Sequence, residues 1–129
     1  IKASTNKGYS LFKNADIVSE RSIKTFLSKK YKNIPIQIYN SLNSTNTFAK
    51  KLAADGAKHA TVVIADQQTS GRGRFNRSFF SPAKTGIYMS VILKPSKAVI
   101  EDVSLTTIAS AVCVCRAIEK LTCLKRQIK

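Results

Sequence analysis

Carboxylates are scarce in this chain. Seven Asp and Glu stand against 22 Lys and Arg, a formal charge of +15 over 129 residues, and no acid lies between Asp66 and Glu101. Such a balance disfavours cationic ligands and favours polyanionic or phosphate-bearing ones. The charge is spread: 11 of the 22 basic residues precede position 59. Tryptophan is absent and histidine occurs once, as His59, with no Cys or Asp beside it. That excludes a catalytic triad and a histidine-based metal set, so no metal ligands are expected. With no general base to offer, the chain suits a substrate that is already a nucleophile, such as a carboxylate at neutral pH.

Other absences narrow the class. No apolar run approaches the roughly 20 residues of a membrane span, and no signal-peptide pattern is visible, so a cytoplasmic protein with no membrane partner is expected. The three cysteines are an odd number. Cys113 and Cys115 would point about 200° apart on a helix, too divergent to share a metal. With Cys123 they read as small buried hydrophobes in a reducing compartment. An apolar content of 43% suffices for one core. There is no internal repeat and no low-complexity tract. With no initiator Met and an end inside what reads as a strand, the chain is expected to be part of a longer polypeptide.

What the chain does have is concentrated in one segment. Gly71 to Arg77 reads Gly-Arg-Gly-Arg-Phe-Asn-Arg, three guanidiniums in seven residues. Glycine admits close backbone approach, and arginine forks match phosphate or carboxylate oxygens. The segment leaves one apolar strand and leads to another, where sites are built at sheet ends. It is expected to close on an anion. No Lys-Ser/Thr follows at the spacing of an ATPase phosphate loop.

The periodicities predict an alternating order of elements. Residues 1–18 are polar and irregular, with a turn at Lys7-Gly8. Ser19 or Ser22 caps a helix whose Ile23, Phe26 and Leu27 share a face, ended by Asn33 and Pro35. Ile34, Ile36 and Ile38 alternate as a strand. Ser44-Thr45-Asn46 caps a short helix with Phe48, Ala49, Leu52 and Ala53 inward and Gly56 past its end. Thr61–Ala65 reads as a strand covered on both faces. From Gly86 to Leu93 a second strand alternates Ile87, Met89, Val91 and Leu93 against Tyr88, Ser90 and Ile92, until Pro95. Val103–Leu121 is a long helix with Leu105, Ile108, Ala109, Val112, Cys115 and Ile118 inward and Glu101-Asp102 at its N-terminus. Leu124–Lys129 begins a further strand. The fold class is α/β (α+β), a mixed β-sheet flanked by helices.

Ser44-Thr45-Asn46 alone is a helix cap, and Gln67-Gln68 alone are solvated amides, either of which can read a ligand edge. Taken in order with Gln68-Thr69-Ser70-Gly71-Arg72-Gly73-Arg74-Phe75-Asn76-Arg77, Phe80-Ser81-Pro82 and Gly86-Ile87-Tyr88-Met89-Ser90, they resemble the biotin protein ligase family. The resemblance spans roughly residues 36–129. Upstream, Lys7 to Leu11 resembles the end of a winged-helix wing, and Ser19–Leu27 the connector helix of members that also repress transcription.

The resemblance implies three regions: 1–18, a wing remnant; 19–35, connector helix and linker; 36–129, the first part of a catalytic domain similar to class II aminoacyl-tRNA synthetases, truncated here. It implies that biotin and ATP, with Mg²⁺, form biotinyl-AMP, and that a lysine of a biotin carboxyl carrier protein then takes the biotinyl group. Ser44, Thr45 and Asn46 would line the biotin pocket, and Gln68 would bind biotin or the adenylate. Gly71, Arg72, Gly73 and Arg74 would form the adenylate loop, with Arg77 near the phosphates and Tyr88 and Ser90 on the pocket floor. Arg72, Arg74 and Lys129 would be the catalytic residues. Lys129 matches the lysine of a family Lys-Trp-x-Asn-Asp segment whose remainder lies past the end of the chain, as do strands that close the nucleotide site. DNA would be a partner through an N-terminal domain outside this stretch, and a homodimer is compatible with the pattern. Two other readings stand beside it: a lipoate–protein ligase, and a nucleic-acid-binding module whose affinity would fall steeply with salt.

Overall fold

Ser19 opens the first helix through a reciprocal pair of bonds. Its Oγ accepts the Ser22 backbone N–H at 3.1 Å, and the Ser22 Oγ accepts the Ser19 N–H at 3.1 Å. Of the two serines that the sequence offered, Ser19 is thus the cap and Ser22 its third-position partner, a capping box. In the computed structural model, which describes residues 2–4, 8–10, 18–73, 75, 77–95 and 103–122, two short strands precede this helix. β1 (Lys2–Ser4) and β2 (Gly8–Ser10) pair antiparallel, with Ala3 opposite Tyr9. The irregular reading of residues 1–18 is corrected there, since three-residue strands are too short to show a period.

α1 (Glu20–Phe26) is two turns long and buries none of its residues. Its expected apolar face is not formed. Phe26 is 89% exposed, and Leu27 is already extended at φ −80°, ψ 141°, so the 3.6-residue period stops before it can place Leu27 beside Ile23. A 3₁₀ turn at Lys29–Tyr31 follows. The Ile34 N–H closes that turn on the Tyr31 carbonyl at 3.2 Å, which removes Ile34 from the strand it was expected to start.

β3 (Ile36–Leu42), α2 (Thr45–Ala54) and β4 (Val62–Gln68) form a β-α-β unit, with β3 and β4 parallel from Ile36 opposite Val62 to Leu42 opposite Gln68. Past the end of α2, Gly56 takes φ +88°, its N–H bonds Ala53 O, and the Ala57 N–H bonds Leu52 O. This is the glycine-terminated Schellman end that the sequence predicted. β5 (Tyr88–Val91) runs antiparallel to β4, so the sheet order is β3-β4-β5 and the sheet is mixed, as expected.

The central place of β4 explains its apolar run. Val63 and Ala65 are buried, and Val63 joins Ala49 and Ile92 in a core packed by Tyr39, Leu42, Phe48 and Leu52. Tyr39 and Phe48 meet edge to face, centroids 4.9 Å apart. Val63→Ala removes two methyl groups from a fully buried site, and thermal denaturation is expected to show a loss of about 2–3 kcal/mol.

On β5 the alternation is real, and its polar side is the inner one. Ser90 stands opposite Val63 and Tyr88 opposite Ala65, while Met89 and Val91 are exposed. Cross-strand neighbours share a face, and Ser90 has a polar partner on that face, described below. Ile87, Leu93 and Pro95 lie outside the strand, which is shorter than the expected Gly86–Leu93.

The described residues divide into two compact units, Ile1–Leu93 and Lys94–Lys129. The second holds α3 (Val103–Thr122), close to its expected bounds. Within its own unit the expected inward face is not covered: Leu105 and Ile108 are 58% and 60% exposed, Ala109 and Ile118 are exposed, and Val112 and Cys115 are half-buried. Cys113, expected to be buried, is exposed. A single helix has no second layer of its own to bury a stripe against. Cys123, Glu101, Asp102 and the expected strand at 124–129 lie outside the described residues. No described helix is long and apolar enough to cross a membrane.

Candidate functional site

The site is assembled where the parallel pair ends. β3 runs out at Leu42, and two residues later Ser44 caps α2, its Oγ accepting the Thr47 N–H at 3.4 Å. β4 runs out at Gln68, and the chain continues alongside β3: the Thr69 N–H bonds Leu42 O at 2.9 Å and the Ser70 N–H bonds Asn43 O at 2.8 Å. The N-terminus of α2 and the start of the arginine segment therefore lie together beyond the carboxyl ends of two parallel strands, the usual ligand position in such sheets. A helix N-terminus there also favours negative charge.

The arginine segment is a narrow hairpin. Gly71 O accepts the Phe79 N–H at 2.8 Å, Arg72 pairs antiparallel with Ser78, and the Gly73 N–H bonds Arg77 O at 2.8 Å. Its return limb is fixed to β4, with the Gln68 N–H donating to Ser81 O at 2.9 Å. Gly71 is buried at the base, where a Cβ would strike the Phe79 carbonyl oxygen and fall 2.6 Å from Ser81 Oγ. Close approach, rather than an unusual φ, requires glycine here. The tip carries Phe75 at φ +55°, left-handed backbone that is uncommon for an aromatic residue. Gly73, Phe75, Arg77, Ser78 and Phe79 line an open hollow of ≈ 580 Å³.

Arg72 and Arg77 are exposed, and among the described residues neither forms an ion pair with a carboxylate. The nearest acid in sequence, Asp66, accepts the Lys84 N–H at 3.1 Å. Among the described residues the charge of Arg72 and Arg77 is thus without a carboxylate partner, as the sequence led one to expect.

Four of the expected site residues meet directly or through one another. Gln68 Oε1 accepts both the Thr45 N–H at 2.8 Å and the Thr45 hydroxyl at 3.1 Å. The Ser90 hydroxyl donates to Thr45 Oγ1 at 3.0 Å, and Ser44 is buried beside Thr45 at the cap. Asn46 is exposed on the first turn of α2. Tyr88 lies on the inner face, but its hydroxyl is engaged by the Pro82–Thr85 turn, bonding Pro82 O at 3.0 Å and Thr85 Oγ1 at 3.0 Å. Arg74 and Lys129 lie outside the described residues. Gln67, the other candidate amide, donates to Ser41 Oγ at 3.1 Å on an exposed edge, away from Thr45.

One residue was missed as a site element. Ser81 is 3% exposed; its Oγ accepts Gln68 Nε2 at 3.0 Å and donates to Phe79 O at 3.1 Å. A serine after two phenylalanines carries no signal that its hydroxyl is buried. Only the ordered motif marks the position. No set of three His, Cys, Asp or Glu able to hold a metal occurs among the described residues.

Comparison with known proteins adds an independent line. The model of the Biotin/lipoate A/B protein ligase family matches residues 38–129. The Bifunctional ligase/repressor BirA of Bacillus subtilis is 35% identical over 129 residues, covering 100% of this chain and 39% of that protein, and its Bacillus spizizenii counterpart matches equally. The chain thus spans about two fifths of the length of these relatives. Among solved structures, biotin protein ligase from Aquifex aeolicus in complex with biotin and ATP superposes with a TM-score of 0.62 at 26% identity, over 73% of this chain and 38% of that one. The Leishmania major ligase in complex with biotinyl-5-AMP gives 0.55 at 27%, over 67% and 35%.

Proposed function

Because the chain belongs to the Biotin/lipoate A/B protein ligase family, we propose that it supplies the biotin- and ATP-gripping part of a biotin protein ligase. The observation that carries this reading is the meeting of the α2 N-terminus, at the ends of β3 and β4, with a hairpin whose Arg72 and Arg77 have no carboxylate partner among the described residues. The support from outside is that similar solved structures are ligases holding biotin with ATP or biotinyl-5-AMP.

In the proposed reaction a biotin carboxylate oxygen attacks the α-phosphorus of ATP. An acyl–O–P bond forms, the bond to the β-phosphate breaks, and pyrophosphate leaves. A carboxylate is ionised at neutral pH, so the step needs no base from the protein. This suits a site whose described residues bring no histidine to it, His59 being exposed on the loop before β4. The residues instead bind and orient. Ser44, Thr45, Asn46, Tyr88 and Ser90 shape the biotin side. Gln68 uses both Oε1 lone pairs on Thr45 and one N–H on Ser81, leaving its second N–H for the ligand. Arg72, Arg74 and Arg77 meet the charge that gathers on the phosphates, with the Gly71 and Gly73 backbone beside them. Mg²⁺ held by the ATP phosphates would supply further charge neutralisation there, beside Arg72 and Arg77.

In the second half-reaction the neutral ε-amine of a carrier-protein lysine attacks the acyl carbon, the acyl–oxygen bond breaks, AMP leaves and the nitrogen releases a proton to the departing AMP phosphate or to water, forming the amide. Lys129 belongs to this machinery on sequence grounds alone. Residues 1–18 and 19–35 fit the wing remnant and connector of a ligase that also represses transcription, as the name of the Bacillus relatives says of them.

The test is biotin-dependent exchange of labelled pyrophosphate into ATP by the complete protein that carries this chain. Exchange with biotin is expected; exchange with lipoate in its place would transfer the reading to the other branch of the family. Arg72→Ala is expected to cost about 1.5–3 kcal/mol of adenylate binding, the scale of hydrogen bonds to charged groups, with the melting temperature held. Arg72 is exposed and supports no core, so an equal fall in melting temperature would make it a structural residue instead.

A further inference from the structure

The polar contacts of the site form one directed chain. The Ser90 hydroxyl donates to Thr45 Oγ1, the Thr45 hydroxyl to Gln68 Oε1, the Gln68 amide to Ser81 Oγ, and the Ser81 hydroxyl to Phe79 O, over 3.0, 3.1, 3.0 and 3.1 Å. Every donor points the same way, from β5 across the N-terminus of α2 and the end of β4 into the hairpin. Bonds aligned head to tail polarise and strengthen one another. The last acceptor belongs to the residue whose N–H closes the hairpin on Gly71 O at 2.8 Å. Among the described residues, Ser81 is the side chain whose hydrogen bonds join the Thr45 side of this chain to the arginine side. A hydroxyl has one proton, and Ser81 spends it on Phe79 O while accepting from Gln68.

We infer that Ser81 is a positioning residue that couples the two substrate subsites of the ligase, holding the arginine hairpin in register with the α2 N-terminus so that each subsite is set by the other. Its hydroxyl is engaged by Gln68 and Phe79 O. It acts through Gln68, which fixes Thr45, and through the Phe79 peptide, which fixes Gly71 and the limb carrying Arg72. Burial makes this rigid, because water cannot reach the hydroxyl and offer a substitute bond.

This inference rests on the ligase reading, and the experiment separates the two. Pyrophosphate exchange by the complete wild-type protein comes first: no exchange with biotin removes both. With exchange in hand, the KM values for biotin and for Mg-ATP are measured for Ser81→Ala, Ser81→Thr and Ser90→Ala, well below each melting temperature. Ser81→Ala is expected to raise both KM values about fivefold or more, with kcat changed less. Ser81→Thr, which keeps the hydroxyl, restores both to within about twofold. Ser90→Ala, made on β5 and independent of the folding of Ser81→Ala, is expected to raise the KM for Mg-ATP along with that for biotin, although the bond of its hydroxyl is to Thr45 and not to the hairpin. A lower melting temperature with unchanged KM values would reduce Ser81 to a buried packing residue. A shift confined to biotin or to ATP, in Ser81→Ala or in Ser90→Ala, would overturn the coupling.

Discussion

Gly71→Ala is expected to cut biotin-dependent pyrophosphate exchange by at least about a hundredfold, the largest effect of any single methyl group in this site. The new Cβ has nowhere to go. It strikes the Phe79 carbonyl oxygen and lies 2.6 Å from Ser81 Oγ, both on the return limb of the same hairpin, with Gln68 Nε2 3.2 Å away. The Phe79 oxygen is backbone and the short Ser81 side chain is held by two hydrogen bonds, so the two limbs must separate. Overpacking of this kind costs about 1–3 kcal/mol. The strain is local and the damage is not, because opening the limbs breaks the Phe79–Gly71 bond, releases Arg72 from its place opposite Ser78, and disturbs the Gln68–Ser81 contact. A ligand-positioning geometry lost by about 1 Å costs roughly two orders of magnitude in rate. Gly73→Ala is the comparison: among the described residues its Cβ would meet Arg77 O alone, at 3.5 Å, an ordinary contact. Steady-state exchange on the two variants checks this, and equal activities would mean that the hairpin base adjusts freely.

The fold was legible where one element decided its own period. The continuous apolar run of β4, the Ser44 cap, the Gly56 exit and the bounds of α3 follow from residues that act within a few positions of themselves. What stayed hidden depended on partners distant in sequence. The alternation on β5 fixed two faces but not which was inner, because Ser90 is placed inward by a hydroxyl 45 residues earlier. The apolar stripes of α1 and α3 announced faces that the described residues of their own units do not cover, since periodicity states what a helix offers and not what packs on it. The same limit held at the site. Arginines without neighbouring acids were readable, as was the ordered motif, whereas the burial of Ser81 and the commitment of the Tyr88 hydroxyl to Pro82 were not.

The two adjacent glutamines sharpen that point, because the sequence offered either amide for a site and the structure separates them. Gln68→Ala is expected to lower stability by about 2–4 kcal/mol and exchange activity by two orders of magnitude or more. Three bonds end on that one side chain, from the Thr45 N–H at 2.8 Å, from the Thr45 hydroxyl at 3.1 Å, and to Ser81 Oγ at 3.0 Å. A lost bond whose partner regains water costs about 0.5–1.5 kcal/mol, and a donor left buried without a partner costs about 1–3 kcal/mol instead. Thr45 is 4% exposed, so its N–H meets that second cost in full. The loss then spreads in both directions along the bonded chain, freeing Thr45 on the biotin side and Ser81 on the arginine side. Gln67→Ala removes one bond to Ser41 Oγ on an exposed edge, and water replaces it, so stability is expected to hold within about 0.5 kcal/mol and activity within about twofold. Denaturation and exchange assays on the pair provide the check. Equal losses in both variants would mean that the sheet edge as a whole matters and that the Gln68 network does not organise the site.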